Sequence, residues 1–265
     1  MKKRPIALTV AGSDSGGGAG IQADLKTFYA FGVYGASVIT GLTAQNTIEV
    51  RSVFKVPAEF VIEQLNAVFD DFDVDAVKTG MLCDEGTVKK VAEFFTGKKI
   101  KNIIVDPVMI SKSGYALLEE DAVRTLIRDL LPCAAVVTPN IFEAEKIAGI
   151  KISSVGDMRS AAEKILKMGA KNVLIKGGHL KGDPFDVLCS KNRCAVIKGK
   201  RQTELFTHGT GCSLSSAITS CIAKGRGIES SVRISKQFVE EGIRKGYNPG
   251  KGCGPVNHFV RPRFL

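Results

Sequence analysis

A glycine-rich turn late in the chain has the composition of a phosphate-binding site. It reads His208-Gly209-Thr210-Gly211-Cys212 and runs into an apolar-periodic helix predicted at 211–224. Backbone N–H groups at the N-terminus of a helix attract anions, and glycines let a phosphate come close to them. A cysteine in the first helical turn is expected to have a lowered pKa, so Cys212 would be partly thiolate and able to accept a proton. The alternative is a glycine-rich helix start with a small buried cysteine.

Two charged side chains stand where predicted strands end. Asp106 closes the strand 103–106, and the proline after it holds it extended, so its carboxylate should point off the edge of the sheet. Lys176 closes the strand 172–176 and precedes two glycines, a setting that suits a phosphate contact. Ligands of open parallel sheets bind beyond the carboxyl ends of the strands, which is where both residues are expected. A lone lysine is more often a solvated surface charge, so Lys176 supports a phosphate site only together with the other candidate residues.

A third charged residue, Glu143, follows the predicted strand 134–138 and has two interpretations. Asn140 and Glu143 have the spacing of a capping box, in which each side chain binds the other residue's backbone N–H. The carboxylate can also hold magnesium, directly or through water, beside the phosphates of a nucleotide. Both interpretations can hold at once.

A second glycine-rich segment, 12–20, follows the first predicted strand and opens a helix. Its stretch 18–23 formally matches the dinucleotide fingerprint GxGxxA, but the match is weak because the motif begins too long after the strand. The chain contains no GxxxxGK[ST] phosphate loop. The glycines allow close backbone approach to a small ligand, and a flexible connection is the alternative.

The spacing of apolar residues predicts strands that alternate with helices. Strands are expected at 6–10, 36–42, 51–56, 75–79, 103–106, 134–138 and 172–176, followed by a hairpin of Phe185–Leu188 and Cys194–Lys198. Helices are expected at 20–31, 58–70, 84–96, 119–131, 141–148, 156–168, 211–224 and 229–246. This alternation predicts a mostly parallel sheet with right-handed crossovers and helices on both faces. No linker or repeat interrupts it, so we expect one domain over residues 1–265.

Composition excludes several classes of protein. The 265 residues carry a net charge of +10, which can attract anionic substrates or reflect a lysine-rich solvated surface. Basic runs without aromatic interleaving give little support for nucleic-acid binding. No apolar run is long enough to span a bilayer or to form a secretory segment. The seven cysteines are odd in number and lack CxxC spacing, which predicts free thiols, a reducing, cytoplasmic compartment and no zinc site.

These segments together resemble the hydroxymethylpyrimidine and phosphomethylpyrimidine kinases of the ribokinase superfamily. The resemblance covers about residues 5–259 and depends on many motifs in the same order. They stand here as Ala11-Gly12-Ser13-Asp14, the run 17–27, Leu42-Thr43-Ala44-Gln45-Asn46-Thr47, Lys78-Thr79-Gly80-Met81-Leu82, Asp106-Pro107-Val108-Met109, Thr138-Pro139-Asn140-Ile141-Phe142-Glu143-Ala144, Lys176-Gly177-Gly178-His179 and His208-Gly209-Thr210-Gly211-Cys212.

The resemblance implies a three-layer α/β/α sandwich without the lid sheet of larger sugar kinases. It implies a cytoplasmic enzyme, commonly a homodimer, that uses ATP and magnesium to phosphorylate a hydroxymethylpyrimidine in two steps for thiamine biosynthesis. Neither nucleic acid nor membrane is an expected partner. The implied positions are the pyrimidine near Gly12, Asp24, Gln45 and Val108, phosphates at Lys176 and the loop Gly209-Thr210-Gly211-Cys212, and magnesium near Asp106 and Glu143, with Cys212 as the candidate base.

Gln45 can also be argued from its chemistry. A carboxamide presents an acceptor and two donors, and an aminopyrimidine edge presents an amine beside a ring nitrogen. The two can pair bidentately, as glutamine does with adenine. Pyridoxal lacks the exocyclic amine, so Gln45 favours the pyrimidine over the vitamin B6 substrate of related kinases. The alternative is a polar residue in the turn 45–47.

The expected mechanism is in-line attack of the hydroxymethyl oxygen on the γ-phosphorus of ATP. The second nucleophile would be a phosphate oxygen that needs no base, so Cys212→Ala should harm the first step more than the second. Two other functions stay open from the sequence. Pyridoxal kinase is the nearest alternative, and a non-catalytic vitamin-binding sensor is another, although a sensor could lose the charged residues that this chain retains.

Overall fold

One sheet runs through the whole fold. The computed structural model of the chain describes residues 4–111, 114–178, 183–202 and 205–262. Strands β1 to β9 span Ile6–Asp14, Tyr34–Gln45, Val50–Lys55, Ala76–Thr79, Ile103–Val105, Val136–Val137, Asn172–Ile175, Phe185–Ser190 and Arg193–Lys198. Their order in the sheet is β3-β2-β1-β4-β5-β6-β7-β8-β9. Neighbours from β2 to β7 pair parallel, and β3, β8 and β9 add antiparallel edges.

Eight α-helices in the described ranges cover the two faces of this sheet. Helices α1 to α8 span Gly20–Ala30, Ala58–Phe69, Glu85–Gly97, Glu120–Thr125, Ile141–Ala148, Val155–Lys167, Thr210–Ala223 and Ile228–Arg244. All nine described strands lie in the one sheet, so none of them forms a separate lid. The predicted ribokinase-like α/β/α sandwich is therefore confirmed.

Successive side chains of the central strands point to opposite faces of the sheet, so the hydrophobic core has two parts, one on each face. Ile103 and Val105 of β5 pack in the cluster that includes α2 to α6, whereas Ile104 packs in the cluster that includes α1, α7 and α8. All three side chains are fully buried. Successive side chains of a strand point to opposite faces, so a continuous apolar run is what a strand covered on both sides requires.

The predicted elements are present, with two informative differences. Strand β1 continues past Ala11 to Asp14, because 12–14 keep pairing with β2 after a shift in register. The glycine-rich segment 12–20 therefore begins inside a strand. The helix predicted at 119–131 stops as an α-helix at Thr125 and continues as a π-helical turn, Leu126–Leu130, and a 3-10 turn, Leu131–Cys133. Pro132 has no N–H to continue the α-helical pattern.

The expectation that all cysteines are free thiols is wrong for one pair. Cys189 of β8 and Cys194 of β9 lie directly opposite each other in the hairpin and form a disulfide, with Cα atoms 4.1 Å apart. The register of the hairpin brings the two sulfur atoms together, and spacing along the chain does not reveal that register. Cysteines 83, 133, 212, 221 and 253 do not form disulfides.

The described helices were also compared with the length and hydropathy that a bilayer requires. None of them is long and apolar enough to cross a membrane.

Candidate active site

A cavity of about 1050 Å³ opens at the carboxyl ends of the parallel strands. Ten of the eleven predicted site residues line it, and Asp24 does not. Those ten are Gly12, Gln45, Val108, Asp106, Glu143, Lys176, Gly209, Thr210, Gly211 and Cys212. They come from segments as far apart as β1 and α7, and the parallel arrangement brings the segments together because the carboxyl ends of such strands meet at one edge. His179, part of one quoted motif, lies outside the described residues.

Asp106 and Lys176 form a buried ion pair at one end of the cavity. Lys176 Nζ donates to Asp106 Oδ1 at 3.0 Å. Asp106 also accepts from Thr138 Oγ1 at 3.2 Å and from Ser215 Oγ at 3.1 Å. Burial alone would raise the pKa of Asp106, but Lys176, Lys78 and these hydrogen bonds lower that pKa overall. Both groups are therefore charged at neutral pH.

The glycine-rich turn lies directly against this ion pair. A Cβ built on Gly211 would lie 3.4 Å from Lys176 Nζ and 3.8 Å from Asp106 Oδ2. Thr210 N–H donates to Thr207 and Ser213 N–H donates to Gly209, whereas within the described ranges the N–H groups of Gly211 and Cys212 have no protein acceptor. Free amides at a helix N-terminus beside a lysine form an anion site.

The conformation of the turn depends on one glycine. Gly209 has a φ of +76°, and a Cβ on it would lie 1.9 Å from the carbonyl oxygen of Gly18. No other residue type fits both the backbone conformation and this close approach. Gly209 therefore joins the late turn to the early glycine-rich segment across the cavity.

Cys212 stands in the predicted place but not in the predicted protonation state. Burial raises the pKa of its thiol to about 11, although the positive charge of Lys78 acts to lower it. A helix N-terminus offers typically 0.3–1 kcal/mol to an anion, which is less than the cost of desolvating a thiolate among packed residues. The expected lowering of the Cys212 pKa is therefore wrong, and the side chain is a neutral thiol at pH 7.

Lys78 is a functional candidate that the sequence argument missed. Its side chain is fully buried and its Nζ binds both oxygens of Asp24, at 2.7 and 2.9 Å. Asp24 also accepts from Thr9 Oγ1 and Ser216 Oγ, both at 2.6 Å. Lys78 lines the cavity, so the structure places Asp24 behind the wall, where it holds the lysine. The signal available was a lysine in the middle of an apolar strand, which always needs a buried partner.

Glu143 forms the predicted capping box and also lines the cavity. Its Oε2 accepts from Asn140 N at 2.7 Å, and Asn140 Oδ1 accepts from Glu143 N at 2.9 Å, so the predicted capping box is confirmed. Burial raises the pKa of Glu143 to about 7, with Asp106 raising it further and Lys176 lowering it. Two carboxylates that oppose each other's charge are an arrangement that a cation would relieve. No group of three or more His, Cys, Asp or Glu residues able to hold a metal occurs in the described ranges.

The predicted pyrimidine residues form another part of the cavity wall, which we call the pyrimidine end, and the part around Lys176 and the glycine-rich turn is the phosphate end. Gly12 packs against Met81 so closely that a Cβ would lie 2.2 Å from Met81 Cε. The carboxamide of Gln45 lies 3.1 Å from Thr43 Oγ1 and 3.5 Å from His208 Nε2. Val108 follows Asp106 and completes this wall. The sequence argument did not include His208 among the site residues, although it begins the glycine-rich turn.

The comparisons with known proteins agree with this geometry. The sequence profile of the family described as phosphomethylpyrimidine kinase matches residues 14–257. The chain belongs to this family. A hydroxymethylpyrimidine/phosphomethylpyrimidine kinase of Rhizobium meliloti is 48% identical over 260 residues, which cover 97% of each chain. The protein is therefore a phosphotransferase.

Two solved structures extend the similarity to the fold. A phosphomethylpyrimidine kinase from Clostridium difficile has a TM-score of 0.82 and 48% identity, over 91% of this chain and all of the other. A pyridoxal kinase of Bacillus subtilis in an ADP complex has a TM-score of 0.90 and 37% identity, over 97% and 98% of the two chains. The chain spans about half the length of the bifunctional thiamine biosynthesis relatives that it matches.

Proposed function

We propose that this protein phosphorylates 4-amino-5-hydroxymethyl-2-methylpyrimidine to its monophosphate and then to its diphosphate, with ATP as phosphoryl donor, in thiamine biosynthesis. The observation that carries the proposal is that one cavity contains both a carboxamide suited to an aminopyrimidine and a charged anion site. Gln45 and Lys176, together with the N–H groups of Gly211 and Cys212 that have no protein acceptor in the described ranges, line the same cavity. We assign both steps to one ribokinase-like domain over residues 1–265.

The pyrimidine binds between Gly12, Gln45 and Val108 in this proposal. The missing side chain of Gly12 makes room for Met81, because a Cβ there would lie 2.2 Å from Met81 Cε, and both residues line the cavity. Gln45 pairs with the amine and the adjacent ring nitrogen. Asp24 contributes indirectly, since it fixes Lys78 and does not line the cavity.

The phosphate groups bind at the other end. In the turn Gly209-Thr210-Gly211-Cys212, the N–H groups of Gly211 and Cys212 act together with Lys176 to neutralise the charge on the equatorial oxygens of the transferring group. Beyond the turn, the cavity continues between α7 and α8 along the apolar side chains of Leu214, Val239 and Ile243. A flat apolar base such as adenine suits that part of the wall.

Asp106 and Glu143 fit the magnesium that accompanies ATP. Both are buried carboxylates on the cavity wall, and the negative charge of Asp106 acts to raise the pKa of Glu143. Magnesium is held by one or two carboxylates, water and substrate phosphates rather than by a closed protein cage, which agrees with the absence of a three-residue cluster from the described ranges. Bound magnesium would supply charge neutralisation at the β- and γ-phosphates.

Cys212 acts in this proposal through its position and its backbone amide. A thiol with a pKa of about 11 is ionised in roughly one molecule in ten thousand at pH 7, so it is not a ready base. The loose transition state of phosphoryl transfer needs little deprotonation of the attacking alcohol. The hydroxyl proton can leave to a phosphate oxygen or to water once the new bond has formed.

A homodimer in the cytoplasm completes the proposal. The edge of the sheet presents Leu42 of β2 and Phe54 of β3 as a cross-strand apolar pair, 44% and 66% exposed. Exposed apolar pairs at a sheet edge are more often covered by a partner than left in water. Sedimentation of the protein, with Phe54→Glu as the comparison, tests this part separately from activity.

An ATP-consumption assay with the pyrimidine alcohol, followed by phosphorus NMR of the products, tests the function. We expect a monophosphate first and a diphosphate later. Pyridoxal is run in parallel because of the similarity to a pyridoxal kinase. Faster turnover of pyridoxal than of the pyrimidine would contradict the proposal, and so would pyrimidine binding without ATP consumption, which would indicate a sensor.

A further inference from the structure

A buried polar network stands behind the Gln45 carboxamide. His208 Nε2 lies 3.0 Å from Asp14 Oδ2 and 3.5 Å from the terminal amide of Gln45. On its other side that amide lies 3.1 Å from Thr43 Oγ1, which in turn lies 3.0 Å from the carbonyl oxygen of Ser13. Asp14 and His208 are 3% and 9% exposed, so water does not replace these contacts easily.

The two ends of this network fix the direction of every hydrogen bond in it. In the structure Gln45 Oε1 faces Thr43 Oγ1 and Gln45 Nε2 faces His208 Nε2. Turning the amide over exchanges these two atoms at nearly the same positions. The carbonyl of Ser13 can only accept, so we assign the hydroxyl hydrogen of Thr43 to it, and Thr43 Oγ1 then accepts from the NH₂ group of the turned amide. The carboxylate of Asp14 can only accept, so His208 Nε2 must carry a hydrogen. That hydrogen faces Gln45 as well, and it requires the amide oxygen on that side.

The carboxylate that anchors the network is itself held firmly. Its Oδ1 accepts from Gly16 N at 2.8 Å, and its Oδ2 accepts from Gly18 N at 3.0 Å and from Ala19 N at 2.8 Å. A Cβ on Gly18 would lie 2.3 Å from His208 Cδ2, so the imidazole ring is packed against the same loop. The position of His208 Nε2 is therefore set by the early glycine-rich segment.

We propose that His208, held by Asp14, is a positioning residue that orients the Gln45 carboxamide and thereby sets the preference for an aminopyrimidine. With the amide oxygen towards His208 and the NH₂ group towards Thr43, one lone pair and one N–H remain for a ligand. Among the described residues, no further side chain contacts that amide. An amine donates to the oxygen and a ring nitrogen accepts from the N–H, and the opposite amide orientation exchanges these two positions on the cavity wall.

This inference rests on the proposed function, because it assigns a recognition role to a residue of the same site. Its test is a binding measurement without nucleotide, so that it does not depend on turnover. Calorimetry compares the pyrimidine alcohol with 5-hydroxymethyl-2-methylpyrimidine, which lacks the 4-amino group. If the wild type prefers the amino compound in binding but does not phosphorylate it, the proposed kinase function fails and this inference stands.

Two substitutions of His208 separate orientation from packing. His208→Phe keeps a ring in the same space but removes the N–H, and we expect the preference for the amino compound to fall about 10-fold, the scale of one buried hydrogen bond. His208→Gln can place an amide N–H near the position of Nε2, and we expect it to restore most of the preference. KM for ATP should change little in both variants.

A double-mutant cycle shows whether His208 acts through Gln45. In the Gln45→Leu background, His208→Phe should cause no further loss of preference, because the group that it orients is already absent. An additive loss would overturn the inference. Weaker binding of both ligands to the same degree, or a raised KM for ATP, would also overturn it, since His208 would then support the neighbouring turn at Gly209. If His208→Phe does not fold, the His208→Gln variant and the cycle with Gln45→Asn give the same decision.

Discussion

The two ends of the cavity are built from different physical interactions. At the phosphate end, the wall itself carries charge, with Lys176 paired to Asp106 at 3.0 Å and Glu143 close by. At the pyrimidine end, the wall presents Gln45, a neutral group whose carboxamide lies 3.1 Å from Thr43 Oγ1 and 3.5 Å from His208 Nε2. Charge acts over several ångströms with little dependence on angle, whereas a hydrogen bond fails when its direction is wrong.

This difference suggests a division of labour. A phosphoryl group that moves between two oxygens needs a field that stays favourable along its path, which fixed charges and free amides provide. A flat ring that must be told apart from similar rings needs a pattern of donors and acceptors. Damage to the phosphate end should therefore reduce the rate for every acceptor, and damage to the pyrimidine end should change which acceptor is used.

Loss of the lysine at the phosphate end should have the largest effect. For Lys176→Met we expect kcat to fall about 10³-fold, because the charge that faces the transferring group is removed. KM for the pyrimidine should change less than about 3-fold. Steady-state kinetics with both substrates measures this, and Lys171→Met, an exposed lysine near the other end of the same strand, is the matched control. A large rise in the KM for the pyrimidine with an unchanged kcat would show that Lys176 binds the pyrimidine, and would contradict separate roles for the two ends.

Loss of the carboxamide at the pyrimidine end should have a smaller and selective effect. For Gln45→Leu we expect kcat/KM for the pyrimidine to fall about 10- to 100-fold, since both bonds of a bidentate contact are lost. KM for ATP should stay constant. Asn66→Leu makes the same kind of change on the exposed face of α2 and serves as control. Equal losses for the pyrimidine and for pyridoxal would show that Gln45 does not read the amine.

The cysteine of the turn should matter less than either end. For Cys212→Ala we expect a loss of at most about 10-fold, equal in the first and second phosphorylation, because a neutral thiol shapes the site without taking a proton. Single-turnover rates for the two acceptors measure the ratio. The sequence alone predicted a larger loss in the first step. Such a loss, together with a first-step rate that climbs with pH towards 11, would restore Cys212 as the base.

A histidine near the C-terminus should make the folded protein less stable at acid pH. His258 Nε2 lies 2.8 Å from Ser213 Oγ in the first turn of α7, and burial, with the charge of Lys26 second, lowers the pKa of His258 to about 4. The folded protein therefore binds fewer protons than the unfolded chain below pH 6.5, so its stability falls as the pH drops through that value towards 4.

Urea unfolding at pH 7 and pH 5 measures this effect. We expect this histidine to account for about 1–2 kcal/mol of the stability lost between the two values. The variant His258→Asn should lose correspondingly less on acidification. An identical loss in wild type and variant would show that the titration of other groups explains the acid sensitivity.

Motifs identified most of the site, and topology supplied the rest. Ten of the eleven predicted residues line the cavity, because turn and strand-end residues of a parallel sheet meet at one edge whatever lies between them. Asp24 could not be assigned correctly in this way. The residues near Asp24 in the sequence do not show whether its side chain faces the cavity or Lys78. That depends on how α1 packs in the fold.

The ionisation of Cys212 and the pairing of Cys189 show the same limit. A helix N-terminus predicts a lowered pKa, but desolvation of the thiol at the cavity wall raises its pKa to about 11. Two cysteines five positions apart predict nothing until the hairpin register places them opposite each other. In both cases the deciding quantity is the surrounding packing or register, which neighbouring residues in the chain do not contain.

The sequence by itself determined the alternation of strands and helices, the capping box at Asn140 and the glycine-rich turn before α7, because periodicity and local hydrogen bonding act over a few residues. Only the tertiary structure decided which charges face each other and how much water they retain. It also placed His208 and Asp14, which are 194 positions apart, within hydrogen-bonding distance. Electrostatic energies depend on distance and burial in space, and chain separation sets neither of them.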